Sequence, residues 1–227
     1  MVEVREIPMG GRIDDFLNVV RERIGAGLDQ LVVLGAGFDS RSMRFDAQLG
    51  QARVFEVDVA DVIALKTQHL ATAGRRLPDR VVQIAIDFST ERLDKLLSQG
   101  FRPAVRTLFL WEGVAPYLHD DDVSGVLRFV GTHGGPRSTL VFDYVTRAFF
   151  AGDHSGHGSR QLARGWRRMG NVNRSAIASV HDRLAPFGLT VLSDLGPAEL
   201  ERLYSTPAQQ PPRRVWGALR IAHARLA

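Results

Sequence analysis

Apolar residues along the chain cluster into short runs separated by segments with helical spacing. Five runs of strand length lie in the first two thirds of the chain, at 30–35, 52–58, 80–86, 106–111 and 138–145. Most are nearly continuous in Val, Ile, Leu and Phe, which predicts strands buried on both faces of a parallel sheet. Two more strands are predicted near the C-terminus, at 189–195 and within 214–226, the last a candidate for antiparallel pairing.

The segments between these runs have the spacing and the termini of helices. Helices are predicted at 12–27, 59–74, 89–100, 119–135 and 197–205. Several close on glycine, as helices often do, and the one at 119–135 carries three acids in its first turn, where the helix dipole favours them. Alternating strands and helices predict an α/β fold, a doubly wound and mostly parallel sheet of seven strands within a single domain, 1–227.

Composition narrows the class of protein without naming it. The chain has 227 residues, and 44% of them are hydrophobic, so one sizeable core is expected. It contains no cysteine, which excludes disulfides, a thiolate nucleophile and cysteine-ligated metals. No apolar run approaches the roughly 20 residues needed to span a bilayer, and residues 1–16 carry charge where a signal peptide would be apolar. We therefore expect a cytoplasmic enzyme or binding protein.

The charge of the chain adds one alternative for the type of partner it binds. The net charge is +4, and arginines cluster at 75–80, 164–170 and 211–216. Such clusters can contact nucleic acid or an acidic substrate. Because they are short and acids are interleaved elsewhere, a solvated surface is the favoured interpretation, and neither nucleic acid nor a membrane is expected as a partner.

The stretch "LVVLGAGFDSR" (31–41) carries the first candidate site, because Gly35 and Gly37 lie at the first strand-to-helix turn. In open α/β sheets ligands bind beyond the carboxyl ends of the strands, near this turn. A dinucleotide fingerprint would place a third glycine where this chain has Ser40. The turn also offers Asp39, an anion, where phosphates would lie. A ligand with an amine or sulfonium and no phosphate suits it better.

Polar residues also follow the next three predicted strands. Asp58 ends the second and can accept both hydroxyls of a ribose, with a helix N-cap as the alternative. Asp87 follows the third and can accept from an adenine amine, with Phe88 beside the ring; a cap or turn aspartate is its alternative. Glu112 follows the fourth, facing the cleft or water. Together they fit a nucleoside with a cationic tail, S-adenosyl-L-methionine.

The same residues resemble a known family. "LVVLGAGFDSR", "VFEVD" (54–58), "DF" (87–88) and "LWEGVAPYL" (110–118) are similar to the signature blocks of the leucine carboxyl methyltransferase family. That family includes protein phosphatase methyltransferases and bacterial polyketide O-methyltransferases of the tetracenomycin type. The resemblance implies the Rossmann-like class I methyltransferase fold, S-adenosyl-L-methionine as cofactor, and methylation of a carboxylate or hydroxyl of a small molecule such as a polyketide.

The resemblance also implies roles for individual residues. The resemblance implies that Arg12 binds the cofactor carboxylate and that Gly35 lets the backbone approach the cofactor. It also implies that Asp58 binds the ribose, that Asp87 and Phe88 contact the adenine, and that Glu112 binds the amino group of the methionine moiety. Two departures stand out. Family members usually carry a longer segment before the arginine, which predicts a site that is more open, completed by a partner chain, or incomplete. Residues 170–177 differ from the bacterial relatives, which weakens transfer of substrate preference.

Acceptor chemistry depends on the nucleophile. A carboxylate is already ionised at neutral pH and needs no base, and Tyr117 is the candidate for steering it by a hydrogen bond. The alternative for Tyr117 is an aromatic packed under a loop. A phenol would benefit from a base, for which His154 and His157 are the candidates. Their Gly- and Ser-rich segment, 151–160, is interpreted as a mobile lid, and no metal site is expected.

Two other functions stay open from the sequence. One is a tRNA-modifying carboxyl methyltransferase, for which the arginine clusters would contact phosphates. The other is a cofactor-binding protein without turnover. The sequence does not name the acceptor and leaves the oligomeric state open, a homodimer included.

Overall fold

A computed structural model describes residues 10–168, 175–204 and 215–227, with the side chains of 10–15 and 17 outside the description. Seven strands form one sheet: β1 (Gln30–Leu34), β2 (Arg53–Asp58), β3 (Val81–Ala85), β4 (Thr107–Trp111), β5 (Thr139–Val145), β6 (Leu189–Leu195) and β7 (Leu219–Leu226). Their order is β3-β2-β1-β4-β5-β7-β6. The first five are parallel, and β7 is antiparallel to both β5 and β6. The predicted fold class is confirmed.

Four of the five predicted helices lie within two residues of their predicted bounds at each end. They are α1 (Gly10–Gly25), α2 (Arg41–Arg44), α3 (Asp46–Leu49), α4 (Ala60–Thr72), α5 (Lys95–Ser98), α6 (Asp120–His133), α7 (Arg147–Phe150), α8 (Ser159–Arg168), α9 (Val180–Leu184) and α10 (Pro197–Tyr204). Turns of 3₁₀ helix lie at Ala115–Tyr117 and Ala185–Phe187.

One predicted helix is wrong in extent. The segment 89–100 is helical only in α5, because Asp87 and Ser89 form a local turn before it. The helices α2, α3, α7, α8 and α9 were not predicted. Helix α9 follows Ile177, which makes a bridge with Thr146. Helix α6 does begin with three acids, and the Asp122 carboxylate accepts from the His119 backbone N–H at 3.0 Å.

The strand side chains alternate between two cores, one on each face of the sheet. Val32 and Leu34 of β1 pack into the core that contains α6, while Leu31 and Val33 pack into the core that contains α1. Strands β1, β4 and β5 are buried along their whole length, as their continuous apolar composition predicts. Among the described helices none is both long and apolar enough to cross a membrane.

Candidate cofactor-binding site

The glycine turn after β1 has a backbone that only glycine adopts easily. Gly35 has φ +70°, and a Cβ built there would overlap the Val114 side chain. Gly37 has φ +45°. The backbone N–H groups of Gly35 and Ala36 both donate to the Val57 carbonyl oxygen, at 2.8 and 2.9 Å. The turn is therefore folded tightly between the end of β2 and the loop after β4.

Asp58 is the last residue of β2, and its half-buried carboxylate is tied to the glycine turn. Its Oδ2 accepts from the Gly37 N–H at 2.7 Å, and its Oδ1 accepts from the Val59 N–H at 2.8 Å. The N-cap of α4 is Val59 and has no side-chain capping bond, so the N-cap alternative for Asp58 is wrong. The carboxylate instead joins the first two strand ends.

Arg41, which the sequence analysis did not single out, connects two of the strand ends. Its Nε donates to Asp39 Oδ2 at 2.7 Å, and its Nη2 donates to Glu112 Oε2 at 2.8 Å. All three side chains are almost fully buried. Burial opposes the charge on Arg41, but the two carboxylates outweigh it, and the pKa of Arg41 is raised above its ordinary value. Asp39 is thus not the isolated anion that the sequence suggested.

A second buried ion pair lies below the turn. Lys66 of α4 donates to Glu56 Oε2 and to the Asp39 carbonyl oxygen, both at 2.7 Å. The Ser42 hydroxyl donates to the other Glu56 oxygen at 2.6 Å. Glu56 and Lys66 are 1% and 3% exposed. Because both partners reach the loop 39–42, this pair fixes the turn.

Around the turn lies a cleft of about 360 Å³. Of the predicted site residues, Gly35, Gly37 and Glu112 line it, and Asp58 joins it through the Gly37 N–H. The remaining lining includes Phe38, whose ring is 57% exposed and lies 5.4 Å from the His69 ring. A large exposed aromatic side chain in a cleft is the kind of surface that a planar ligand covers.

The structure does not place Asp87 and Phe88 on the wall of this cleft. Asp87 Oδ1 accepts from the Ser89 hydroxyl at 2.6 Å and from its N–H at 2.9 Å, and these bonds lower the pKa of Asp87. Phe88 is half-buried and packs against the core beside α6. The turn-aspartate alternative therefore describes Asp87 here. The Ile86 N–H donates to the Asp58 carbonyl oxygen. This bond keeps Asp58 and Ile86, the residue directly before Asp87, at the same edge of the sheet.

Two further residues bear on the site. Arg12 lies in α1, but its side chain is outside the described residues, so its role stays a prediction. Asp143, in β5, was missed; it is 0% exposed, and its Oδ1 accepts from the Gly113 N–H at 2.7 Å. A charged residue inside the otherwise apolar run 138–145 was the sequence signal that could have found it.

Tyr117 opens an aromatic cluster next to Glu112. Its ring is 38% exposed and meets the buried Trp166 ring edge-on at 5.6 Å, and Phe150 stacks on Trp166 at 5.6 Å. The packed-aromatic alternative for Tyr117 is thus present, and its role toward an acceptor stays a prediction. His154 contacts the Phe149 ring at 5.0 Å, whereas His157 is exposed.

The predicted lid segment is anchored at one end. The Gly217 N–H donates to the His157 carbonyl oxygen at 2.8 Å, and Gly156 and Gly217 pack backbone against backbone. Within the described residues no group of three His, Cys, Asp or Glu side chains is arranged to hold a metal ion.

The arginine clusters lie on the surface where they are described. Arg80 pairs with Asp46 at 2.8 Å and Arg76 with Asp79 at 3.1 Å. Arg164 and Arg167 of α8 are exposed, and most of 211–216 lies outside the described residues. Pairing of the first cluster agrees with the solvated-surface interpretation.

Solved structures place this fold in a known class. The chain aligns with the mitomycin 7-O-methyltransferase MmcR (TM-score 0.57, 19% identity, 96% of this chain and 56% of that one). It aligns equally with the magnesium protoporphyrin IX methyltransferase of Synechocystis PCC 6803, solved with bound SAH (TM-score 0.56, 15% identity, 96% and 84%). The fold is therefore that of the class I S-adenosyl-L-methionine-dependent methyltransferases.

Sequence comparison identifies the family. The leucine carboxyl methyltransferase profile matches residues 6–131, more than half of the chain, so the chain belongs to that family. A predicted S-adenosyl-L-methionine-dependent methyltransferase of Mycolicibacterium smegmatis is 36% identical over 118 residues, 52% of this chain and 37% of the relative. The predicted enzyme YktD of Bacillus subtilis is 26% identical over 189 residues, 82% and 62%. The aligned part thus spans about 37–62% of these two relatives.

Proposed function

We propose that the chain is an S-adenosyl-L-methionine-dependent O-methyltransferase that methylates a carboxylate, or a hydroxyl, of a small molecule such as a polyketide. The observation that carries the proposal is the convergence of three strand ends on one cleft. Gly35 and Gly37 follow β1, Asp58 ends β2, and Glu112 follows β4. Family membership supports the reaction class.

The residues present fit the cofactor. The missing Cβ at Gly35 leaves a cradle closed by Val114, so the backbone can approach a ligand there. Asp58, held by two backbone N–H groups, presents acceptor oxygens suited to ribose hydroxyls. Glu112 supplies negative charge for an ammonium. S-adenosyl-L-methionine is the cofactor named for the matched relatives, and when bound it supplies a methyl group on a sulfonium sulfur.

The remaining task of the chain is to align the acceptor. Holding two reactants in line at the right distance contributes roughly 7–11 kcal/mol to lowering the barrier. A carboxylate acceptor is ionised at neutral pH, so this cleft needs no general base. We assign the steering role to the Tyr117 hydroxyl, whose ring is held by Trp166 at the edge of the aromatic cluster. A hydroxyl acceptor would make His154 the candidate base.

A labelled-methyl transfer screen tests the proposal. The chain is incubated with methyl-labelled cofactor and a panel of carboxylic acids and phenols, and the products are treated with mild base. Methyl esters release the label as methanol, whereas aryl ethers retain it. We expect base-labile label with wild type and at least a tenfold loss with Asp58→Ala. Cofactor binding without transfer to any acceptor would contradict the proposal and favour a binding protein without turnover.

A further inference from the structure

Arg41 has one guanidinium nitrogen without a partner. Its Nε and Nη2 are engaged by Asp39 and Glu112, but Nη1 is buried and accepted by no oxygen of the protein in the described structure. The side chain is only 9% exposed. A buried charged donor that lacks an acceptor is costly, and such groups in native proteins call for an explanation. A bound ligand is one explanation.

The surroundings hold the Arg41 guanidinium in place beside the cleft. Two carboxylates clamp the guanidinium from separate elements, and the Phe16 ring lies 5.7 Å from its central carbon. Arg41 and Glu112 both line the cleft beside the glycine turn. The guanidinium is rigid and planar, and its remaining N–H donor at Nη1 is suited to binding a carboxylate oxygen.

We propose that Arg41 Nη1 donates to the carboxylate of the cofactor's methionine moiety. Arg41 and Glu112 then form one receptor for a zwitterion, in which the guanidinium binds the carboxylate and Glu112 binds the ammonium. This inference rests on the proposed function. It adds a second arginine to Arg12, the residue that the family resemblance implies for the same carboxylate.

The test compares two ligands rather than one. S-adenosyl-L-methionine and its decarboxylated form share the adenosine, sulfonium and amine, and differ in the carboxylate. Their dissociation constants are measured by calorimetry for wild type, Arg41→Met and Arg41→Lys. Arg76→Met is the matched control, because Arg76 also pairs with an aspartate, Asp79, but is 85% exposed and does not line this cleft. Thermal unfolding verifies that each variant is folded, and the ratio of the two constants is independent of the folded fraction.

We expect wild type to bind S-adenosyl-L-methionine more tightly than the decarboxylated ligand. Arg41→Met should weaken the binding of S-adenosyl-L-methionine roughly 10- to 100-fold, which corresponds to the loss of one charge-assisted hydrogen bond. The same variant should change the dissociation constant of the decarboxylated ligand less than about threefold. The affinity of Arg41→Lys for S-adenosyl-L-methionine should lie between those of wild type and Arg41→Met, and Arg76→Met should keep the wild-type ratio of the two constants. Equal weakening of both ligands by Arg41→Met would overturn the inference, since that marks a purely structural role. Wild type that binds neither ligand would overturn the proposed function itself.

Discussion

Removal of the Lys66 ammonium is the sharpest test of the buried pair below the turn. Lys66 Nζ lies 2.7 Å from Glu56 Oε2, and the two side chains are 4% and 1% exposed. Lys66→Met leaves the Glu56 carboxylate buried with an uncompensated charge, which costs about 3–5 kcal/mol. For a chain of this size that corresponds to a decrease in Tm of about 6–20 °C. The variant also loses the bond to the Asp39 carbonyl oxygen, so cofactor affinity should fall as well.

Urea unfolding followed by circular dichroism measures the free energy of unfolding. The double variant Glu56→Gln/Lys66→Met contains no buried charge at this position, and we expect it to regain at least half of the stability lost. Lys95→Met is the matched control, because Lys95 pairs with Glu91 at 3.2 Å with both side chains 44% exposed and should contribute less than about 1 kcal/mol. The reasoning is wrong if Lys66→Met costs no more than Lys95→Met.

Three further predictions concern other parts of the chain. Burial, and then Arg23, lowers the pKa of His223 to about 4. The unfolded chain therefore binds this proton first as pH falls below about 6.5, and stability drops by about 2–3 kcal/mol between about pH 7.5 and 4.5. His223→Leu should remove this loss of stability at low pH, as measured by urea unfolding at a series of pH values. If the variant keeps the wild-type pH dependence, the prediction for His223 is wrong. Gly35→Ala should cost at least about 2 kcal/mol by strain and overlap with Val114 and weaken cofactor binding, and wild-type affinity would contradict this. Gly217→Ala should overlap Gly156 and speed proteolysis within 151–158, whereas unaltered cleavage would show that this contact does not anchor the loop.

The centre of the sheet was predictable because β1, β4 and β5 are nearly continuous apolar runs, which are typical of strands buried on both faces. The short helices were not, since a helix of four residues such as α2 or α7 buries too little to leave a periodic pattern. The sequence analysis named the last strand as a candidate for antiparallel pairing, but its position between β5 and β6 follows from tertiary contacts, which local sequence does not encode.

In the site, the glycine turn and the strand-end residues were predictable because parallel strands bring their carboxyl ends to one edge. The two buried ion pairs of the site were not predictable from the sequence. Arg41 acquires its role from Glu112, which is 71 positions away, and nothing near Arg41 in the sequence signals that partner. Lys66 lies in an amphipathic helix, where a lysine ordinarily faces water. Asp87 is the opposite case, because its strand-end position suggested a role in the site, whereas its carboxylate satisfies a local turn.

A calorimetric titration with S-adenosyl-L-homocysteine tests the central claim most directly, namely that the ends of β1, β2 and β4 form an adenosine site. Wild type should bind about one molecule per chain. Asp58→Asn should bind at least tenfold more weakly, because it places an amide where the ribose needs a charged acceptor. Asp79→Asn, whose carboxylate is 88% exposed away from the cleft, should bind as wild type does. Equal affinity in all three proteins, or binding in none, would contradict the account.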